Sequence, residues 1–165
     1  MTNVATSGTA VVTLPSDTQV LVTRDFNAPR HLVYKAYTTP ELVRRWWAGR
    51  RGQMTIAEID LRVGGNWRFV MTSTEGFEVA FHGTYREIVP DERLVHTEVY
   101  EAMPDAEVVN TITLAESGGR TTMTVLIDCG TQEIRDGMMA SGMEVGMQEA
   151  YDLIEEIAIG LAEQA

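Results

Sequence analysis

Hydrophobic positions along this chain form an alternating middle flanked by stretches of helical spacing. Thr18–Phe26 (TQVLVTRDF) is rich in β-branched residues and predicts a strand. Asn27-Ala28-Pro29 interrupts it, with Asn27 suited to cap a helix and Pro29 tolerated in its first turn. Leu32, Val33, Ala36 and Tyr37 follow at helical spacing. Thr39-Pro40-Glu41 repeats the start signal, and a second short helix carries Leu42, Val43, Trp46 and Trp47 until Gly49 ends it. From Met54 the period becomes two. Strands are predicted at Met54–Asp60, Asn66–Ser73, Phe77–Val89, Arg93–Tyr100, Glu107–Leu114 and Arg120–Asp128, separated by short turns, which implies an antiparallel meander.

The period changes again near the end. Met139, Met143, Met147, Ala150, Ile154, Ile157 and Leu161 fall on one stripe, opposite Glu144, Gln148, Asp152, Glu155 and Glu156. The pattern predicts one amphipathic helix of about 20–28 residues whose apolar side needs the sheet as its partner. Residues 1–16, mostly small and polar, are expected to form a flexible arm, and 17–165 one domain. The expected fold is α+β: a twisted antiparallel sheet wrapped around a long C-terminal helix, with two short helices after the first strand. A space between sheet and helix is the natural place to look for function.

Four segments carry a family resemblance: TRDFNAPRHLVYKAYTTPELVRRWW, DLRVGGNWRFVM, HGTYREIVPDERLVHTE and SGMEVGMQEAYDLIEEIA. In this order they resemble the SRPBCC (START/Bet v 1-like) superfamily, and within it the branch related to the C-terminal domain of the activator of the Hsp90 ATPase. The resemblance implies the helix-grip fold, with a cavity between sheet and long helix for hydrophobic small molecules. It also implies that Trp46-Trp47 cap the cavity mouth. Many relatives carry Trp where this chain has Met147, which implies a softer and larger pocket wall here.

Charge narrows the partners. Thirteen basic against 24 acidic residues give a net charge of −11, which disfavours nucleic acid and anionic membranes. No run is long enough to span a bilayer, and no basic stretch precedes the short Val11-Val12 pair, so a cytoplasmic protein is expected. Cys129 is alone, which excludes an internal disulfide. His31 and His82 are isolated, and no metal or other cofactor is expected. The basic stretch from Arg24 to Arg51 offers either an anion or partner site near Arg44-Arg45 and Arg50-Arg51 or only a solvated helix end and loop, with the acidic last helix as one surface it could face. An open sheet edge and the outside of that helix offer surfaces for a homodimer.

Alternation places Trp67, Phe69 and Met71 on one face of their strand, Phe81 and Tyr85 on one face of the next, and His96, Glu98 and Tyr100 on one face of the one after. With Trp46, Trp47, Met143, Met147 and Tyr151 these are the candidate ligand-binding residues; the alternative is a filled core. Alternation does not choose the face: if His96 and Glu98 point outward, Val95, Thr97 and Val99 line the interior. Pointing inward, Glu98 would have a raised pKa and could act as acid or base, with His96 and Tyr85 as further catalytic candidates. The expected function is binding of a hydrophobic or aromatic small molecule. A cyclase-, aromatase- or hydrolase-type enzyme and a chaperone-linked adaptor are the alternatives.

Overall fold

Two segments rich in β-branched residues, far apart in sequence, join the sheet into one curved wall. The computed structural model describes residues 2–3 and 9–164. Among these, the strands are β1 (Thr2–Asn3), β2 (Val11–Ser16), β3 (Gln19–Phe26), β4 (Gly52–Ile59), β5 (Asn66–Ser73), β6 (Glu78–Val89), β7 (Arg93–Tyr100), β8 (Glu107–Ser117) and β9 (Arg120–Asp128). The helices are α1 (Arg30–Thr38), α2 (Pro40–Trp46), α3 (Gln132–Ala140) and α4 (Met143–Glu163). The strand order is β1-β2-β3-β9-β8-β7-β6-β5-β4, with every neighbouring pair antiparallel. From β4 to β9 the sheet is the expected meander. β3 closes it by pairing along its length with β9, from Gln19↔Asp128 to Phe26↔Thr121.

The inner face of the β3–β9 ladder presents Val20, Val22, Phe26, Met123, Val125 and Ile127, all buried. Against them lies α4, whose Tyr151, Ile154, Ile157 and Ala158 recur at helical spacing and are buried. Irregularities at Met54/Ile56 in β4 and Tyr85/Glu87 in β6 break the register there, and such bulges bend a sheet around what it covers. The fold is thus α+β, a curved antiparallel sheet gripping a long C-terminal helix.

Three expectations are corrected. Residues 11–16 are not a loose arm but strand β2, paired with β3 and with Val12 fully buried; the β-branched Val11-Val12-Thr13 run outweighs the polar residues around it. Residue 1 and residues 4–8 of that expected arm lie outside the described residues. The predicted final helix of about 20–28 residues is present as α4, but the first member of its stripe, Met139, lies outside it on a separate short helix, α3. Gly142 adopts a left-handed φ of 80°, a conformation a side chain rarely takes, and separates α3 from the 21-residue α4. Asn27 does not cap α1: Pro29 stands at the cap position, and the Asn27 N–H donates to Glu155 Oε2 at 2.9 Å. The α1 N-terminus is met instead by Glu116 of the β8–β9 hairpin, which accepts from the Arg30 N–H at 2.8 Å.

The basic segment does turn partly to the acidic helix. Arg24, only 4% exposed, lies 3.2 Å from both Asp152 and Glu155 and over the Phe26 ring, while Arg51 reaches Glu149 at 3.7 Å. Ala10 joins the same helix through a reciprocal pair: its N–H donates to Gln148 Oε1 and its carbonyl accepts from Gln148 Nε2, both at 2.9 Å.

Candidate functional site

A cavity of about 300 Å³ lies between the sheet and α4. Its walls come from α1 (Tyr37), α2 and its end (Trp46, Trp47), β5 to β9, and α4 (Met143, Gly146, Met147, Ala150, Tyr151). Eleven of the thirteen candidate residues line it: Trp46, Trp47, Trp67, Phe69, Phe81, Tyr85, His96, Glu98, Met143, Met147 and Tyr151. Two do not. Met71 packs against the core farther along β5, beside Gly52. Tyr100, at the end of β7, is 37% exposed and stacks on the outer side of Phe81 with ring centres 5.0 Å apart.

The two adjacent tryptophans have different tasks. Trp46 is anchored, its indole N–H donating to Ala36 O at 2.9 Å and its ring packed on Tyr37. Trp47 is only half-buried and stands edge-on to both Phe69 and Phe81. These contacts continue into a file of aromatic rings. It runs Trp67–Phe69–Trp47–Phe81–Tyr100 with centre spacings of 4.8, 5.6, 5.3 and 5.0 Å, from a buried ring to an exposed one. At its inner end Trp67 meets His96 at 5.5 Å, and His96 meets Tyr85 at 6.1 Å.

Trp67 occupies this position because its partner in the register is Gly83. The indole passes over β6 at that glycine and its N–H donates to Thr97 O on β7 at 3.1 Å. A Cβ on Gly83 would stand 2.5 Å from the indole nitrogen and 1.8 Å from Thr97 O, closer than real atoms approach. Only a residue without a side chain lets the ring lie flat there.

The polar groups form the cavity floor. Tyr85, His96 and Asn110 are directly opposite one another on β6, β7 and β8 and share the inner face. Glu98 follows His96 on that face. The inward face of β7 is therefore the His96/Glu98 face, and the alternative with Val95, Thr97 and Val99 inside does not hold. Thr97 and Val99 are nevertheless buried, on the outer side. The Thr97 hydroxyl accepts from the Thr84 N–H at 2.9 Å.

His96 Nδ1 lies 3.3 Å from Thr97 O. A carbonyl oxygen can only accept, so Nδ1 carries the proton and Nε2 is left as the acceptor. Burial pushes the imidazole down to about 4, only partly opposed by this bond, so the ring is neutral at physiological pH. Glu98 is surrounded by protein yet keeps part of its surface open to the cavity. Its carboxyl makes no hydrogen bond among the described residues, and desolvation alone raises it to about 7. Tyr37 and Tyr151 face it from the two helices with their hydroxyls toward each other; burial raises both, Tyr151 to about 12. Burial also raises Tyr85, and the buried Cys129 thiol. The site can therefore offer neutral donors and acceptors, and a carboxyl poised to gain or lose a proton near neutral pH.

Tyr37, Leu94, Asn110, Ile112, Val125, Ile127, Gly146 and Ala150 also line the cavity and were not among the candidates. Asn110 is the informative one: a polar residue on the inner face of β8, revealed only once the register sets it opposite His96. Tyr37 carried a signal, a polar-tipped ring on the apolar face of α1, which helical spacing alone assigns to the core.

A second hollow, of about 580 Å³, lies on the outer face of β4–β6 beside Glu58, Asp60, Arg68 and His82. It is larger, but charges beside it pair with one another. Arg68 holds Glu101 through two hydrogen bonds of 2.9 Å, and His82 joins at 3.0 Å. The aromatic cavity under α4, with its unpartnered carboxyl, is the stronger site. Among the described residues no helix is long and apolar enough to cross a membrane.

The comparisons agree with this geometry. A model of the activator of Hsp90 ATPase homolog 1-like family matches residues 27–158. A crystal structure of a Rhodobacter sphaeroides protein superposes with a TM-score of 0.82 at 30% identity, covering 92% of this chain and 97% of that one. Protein NE0264 from Nitrosomonas europaea gives 0.82 at 23% identity, over 91% of this chain and 99% of its own, which speaks for the fold alone. Protein Ms6760 from Mycobacterium smegmatis gives 0.79 at 21%, over 88% and 94%. No curated protein is significantly similar to the chain. On the family match and the Rhodobacter relative, the chain belongs to the activator of Hsp90 ATPase homolog 1-like family of the SRPBCC superfamily.

Proposed function

We propose that this protein binds a compact hydrophobic or aromatic small molecule in the cavity between the sheet and α4. The observation that supports the reading is the cavity itself, about 300 Å³ and walled mainly by aromatic and aliphatic side chains with a few polar groups on one side. Small-molecule sites run from roughly 300 to 1,000 Å³, so this one suits a molecule of one or two rings better than a long acyl chain. The aromatic file from Trp67 to Tyr100 gives such a ring stacking partners from the interior to the surface.

Comparison of native and denaturing mass spectra of the purified protein tests this. The expected result is a discrete additional mass in the native spectrum that is lost on denaturation, or retention of small aromatic probes added to the bare chain. A bare chain that retains none of a panel of such probes would sink the reading.

A second reading is acid–base catalysis on the bound molecule. It is favoured by Glu98, whose carboxyl titrates near 7 beside the neutral His96 and the two tyrosines. Its mark would be turnover of a bound compound by the native protein that Glu98→Gln abolishes while binding persists.

A further inference from the structure

The ring-rich cavity holds one group capable of full negative charge and no cation to neutralise it. No Arg or Lys lines it. Two cations stand behind its walls: Arg24, close enough for its charge to act on Tyr151 but paired with Asp152 and Glu155, and Arg51, packed over Gly146 on α4 but turned to Glu149. The titratable groups around Glu98 are Tyr37 from α1, Tyr151 from α4, Tyr85 from β6, His96 on its own strand, and Cys129 after β9. All are uncharged at neutral pH, for burial raises the phenols and the thiol and lowers the imidazole. α2 contributes only Trp46 and Trp47, and β8 the uncharged Asn110.

We propose that the cavity selects a compact organic cation, an amine or quaternary ammonium on a small apolar frame, with the Glu98 carboxylate as counter-ion and the surrounding rings as walls. The proposal rests on the cavity being a binding site. Three features lead to it. A buried carboxyl without a hydrogen-bond partner is costly to ionise, and a cationic guest removes that cost by supplying the missing charge. Ring faces carry negative potential and attract cations within about 6 Å, an attraction that strengthens when water is excluded. Neither group can hold a carboxylate: an anionic guest would meet Glu98 and the ring faces with no Arg or Lys to pair with. Proton balance is simple. Below neutrality the cation displaces the Glu98 proton to solvent as it binds; above neutrality that proton has already left.

The test uses benzyltrimethylammonium, whose charge does not change with pH, and neopentylbenzene, which has its shape without the charge. Binding to the whole protein is followed by tryptophan fluorescence at pH 6 and pH 8. With Glu98 titrating at about 7, the ionised fraction rises about tenfold across that interval, so the cation is expected to bind about tenfold tighter at pH 8. Neopentylbenzene should show no such rise. In Glu98→Gln the rise should vanish while neopentylbenzene still binds, which also reports that the variant is folded. Equal binding of both probes, pH-independent binding of the cation, or a tenfold rise surviving in Glu98→Gln would each overturn the proposal and leave the binding cavity standing. Failure of both probes to bind would overturn it together with the binding reading.

Discussion

His96 and Glu98 stand two residues apart on one face of β7, and burial moves their proton affinities in opposite directions toward the same uncharged state. The imidazole falls from 6.5 to about 4, and the carboxyl rises from 4.5 to about 7. Their contributions to stability therefore have opposite slopes. Glu98 is most favourable below pH 4.5, and that contribution is lost as pH rises through 7. His96 is most favourable above pH 6.5, and that contribution is lost as pH falls through 4.

Between pH 4.5 and 6.5 the two are expected to offset each other, each changing by about 1.4 kcal/mol per pH unit within its window. Glu98→Gln should leave the His96 slope, so that stability climbs with pH over this interval. His96→Phe should leave the Glu98 slope, so that stability declines. Urea unfolding at pH 4.5, 5.5, 6.5 and 8 reads both. Parallel curves in the wild type and the two variants would refute the pairing.

Gly83→Ala should be among the most damaging single-methyl changes in the molecule. The new Cβ would collide with Thr97 O and the Trp67 indole, and overpacking of this kind costs about 1–3 kcal/mol. Trp67 must tilt off β6 and lose its bond to Thr97, so tryptophan emission should shift to longer wavelength along with the drop in melting temperature. An unchanged emission maximum would mean that the ring had not moved.

Arg24 and Glu155 should respond unequally to replacement. Arg24 is 4% exposed, whereas its partners Asp152 and Glu155 are 59% and 23% exposed. Removing the cation in Arg24→Met leaves carboxylates that water can reach, with an expected cost near 1 kcal/mol. Glu155→Ala leaves the buried guanidinium with only the exposed Asp152 and strips the Asn27 N–H of its acceptor, for an expected cost of about 3 kcal/mol. Chemical denaturation of the two variants decides the order, and equal losses would contradict it.

Gln148→Leu should loosen the start of β2. Both amide bonds to Ala10 vanish, and a buried polar group left unpaired costs about 1–3 kcal/mol. Hydrogen exchange at the Ala10 amide should accelerate well before global unfolding does. Continued protection there would show that the pair with Gln148 is dispensable.

The strand order from β4 to β9 and the helical stripe of α4 were legible because each has a clear period and the strands are separated by short turns. β7 was legible as a strand but mute about orientation, because Thr97 and Val99 are buried on one side while His96 and Glu98 face the cavity on the other. Period two specifies a face only where the other face is wet. β2 was hidden by the small polar residues before it, although Val11-Val12-Thr13 held the signal. The break at Gly142 was hidden because Met139 and Met143 keep helical spacing across it; a left-handed glycine interrupts the backbone without interrupting the stripe. Asn110 belongs to the cavity through a cross-strand partner, and such neighbours become visible only when the register is known.

The ladder between β3 and β9 also sets the order in which this molecule can be born. Each hairpin from β4 to β9 pairs with what the ribosome has just delivered, but β3 must wait about a hundred residues for β9, and α4 emerges after that. The chamber acquires its roof last. Until then the aromatic wall of β5 and β6 stands bare on the side that α4 later covers.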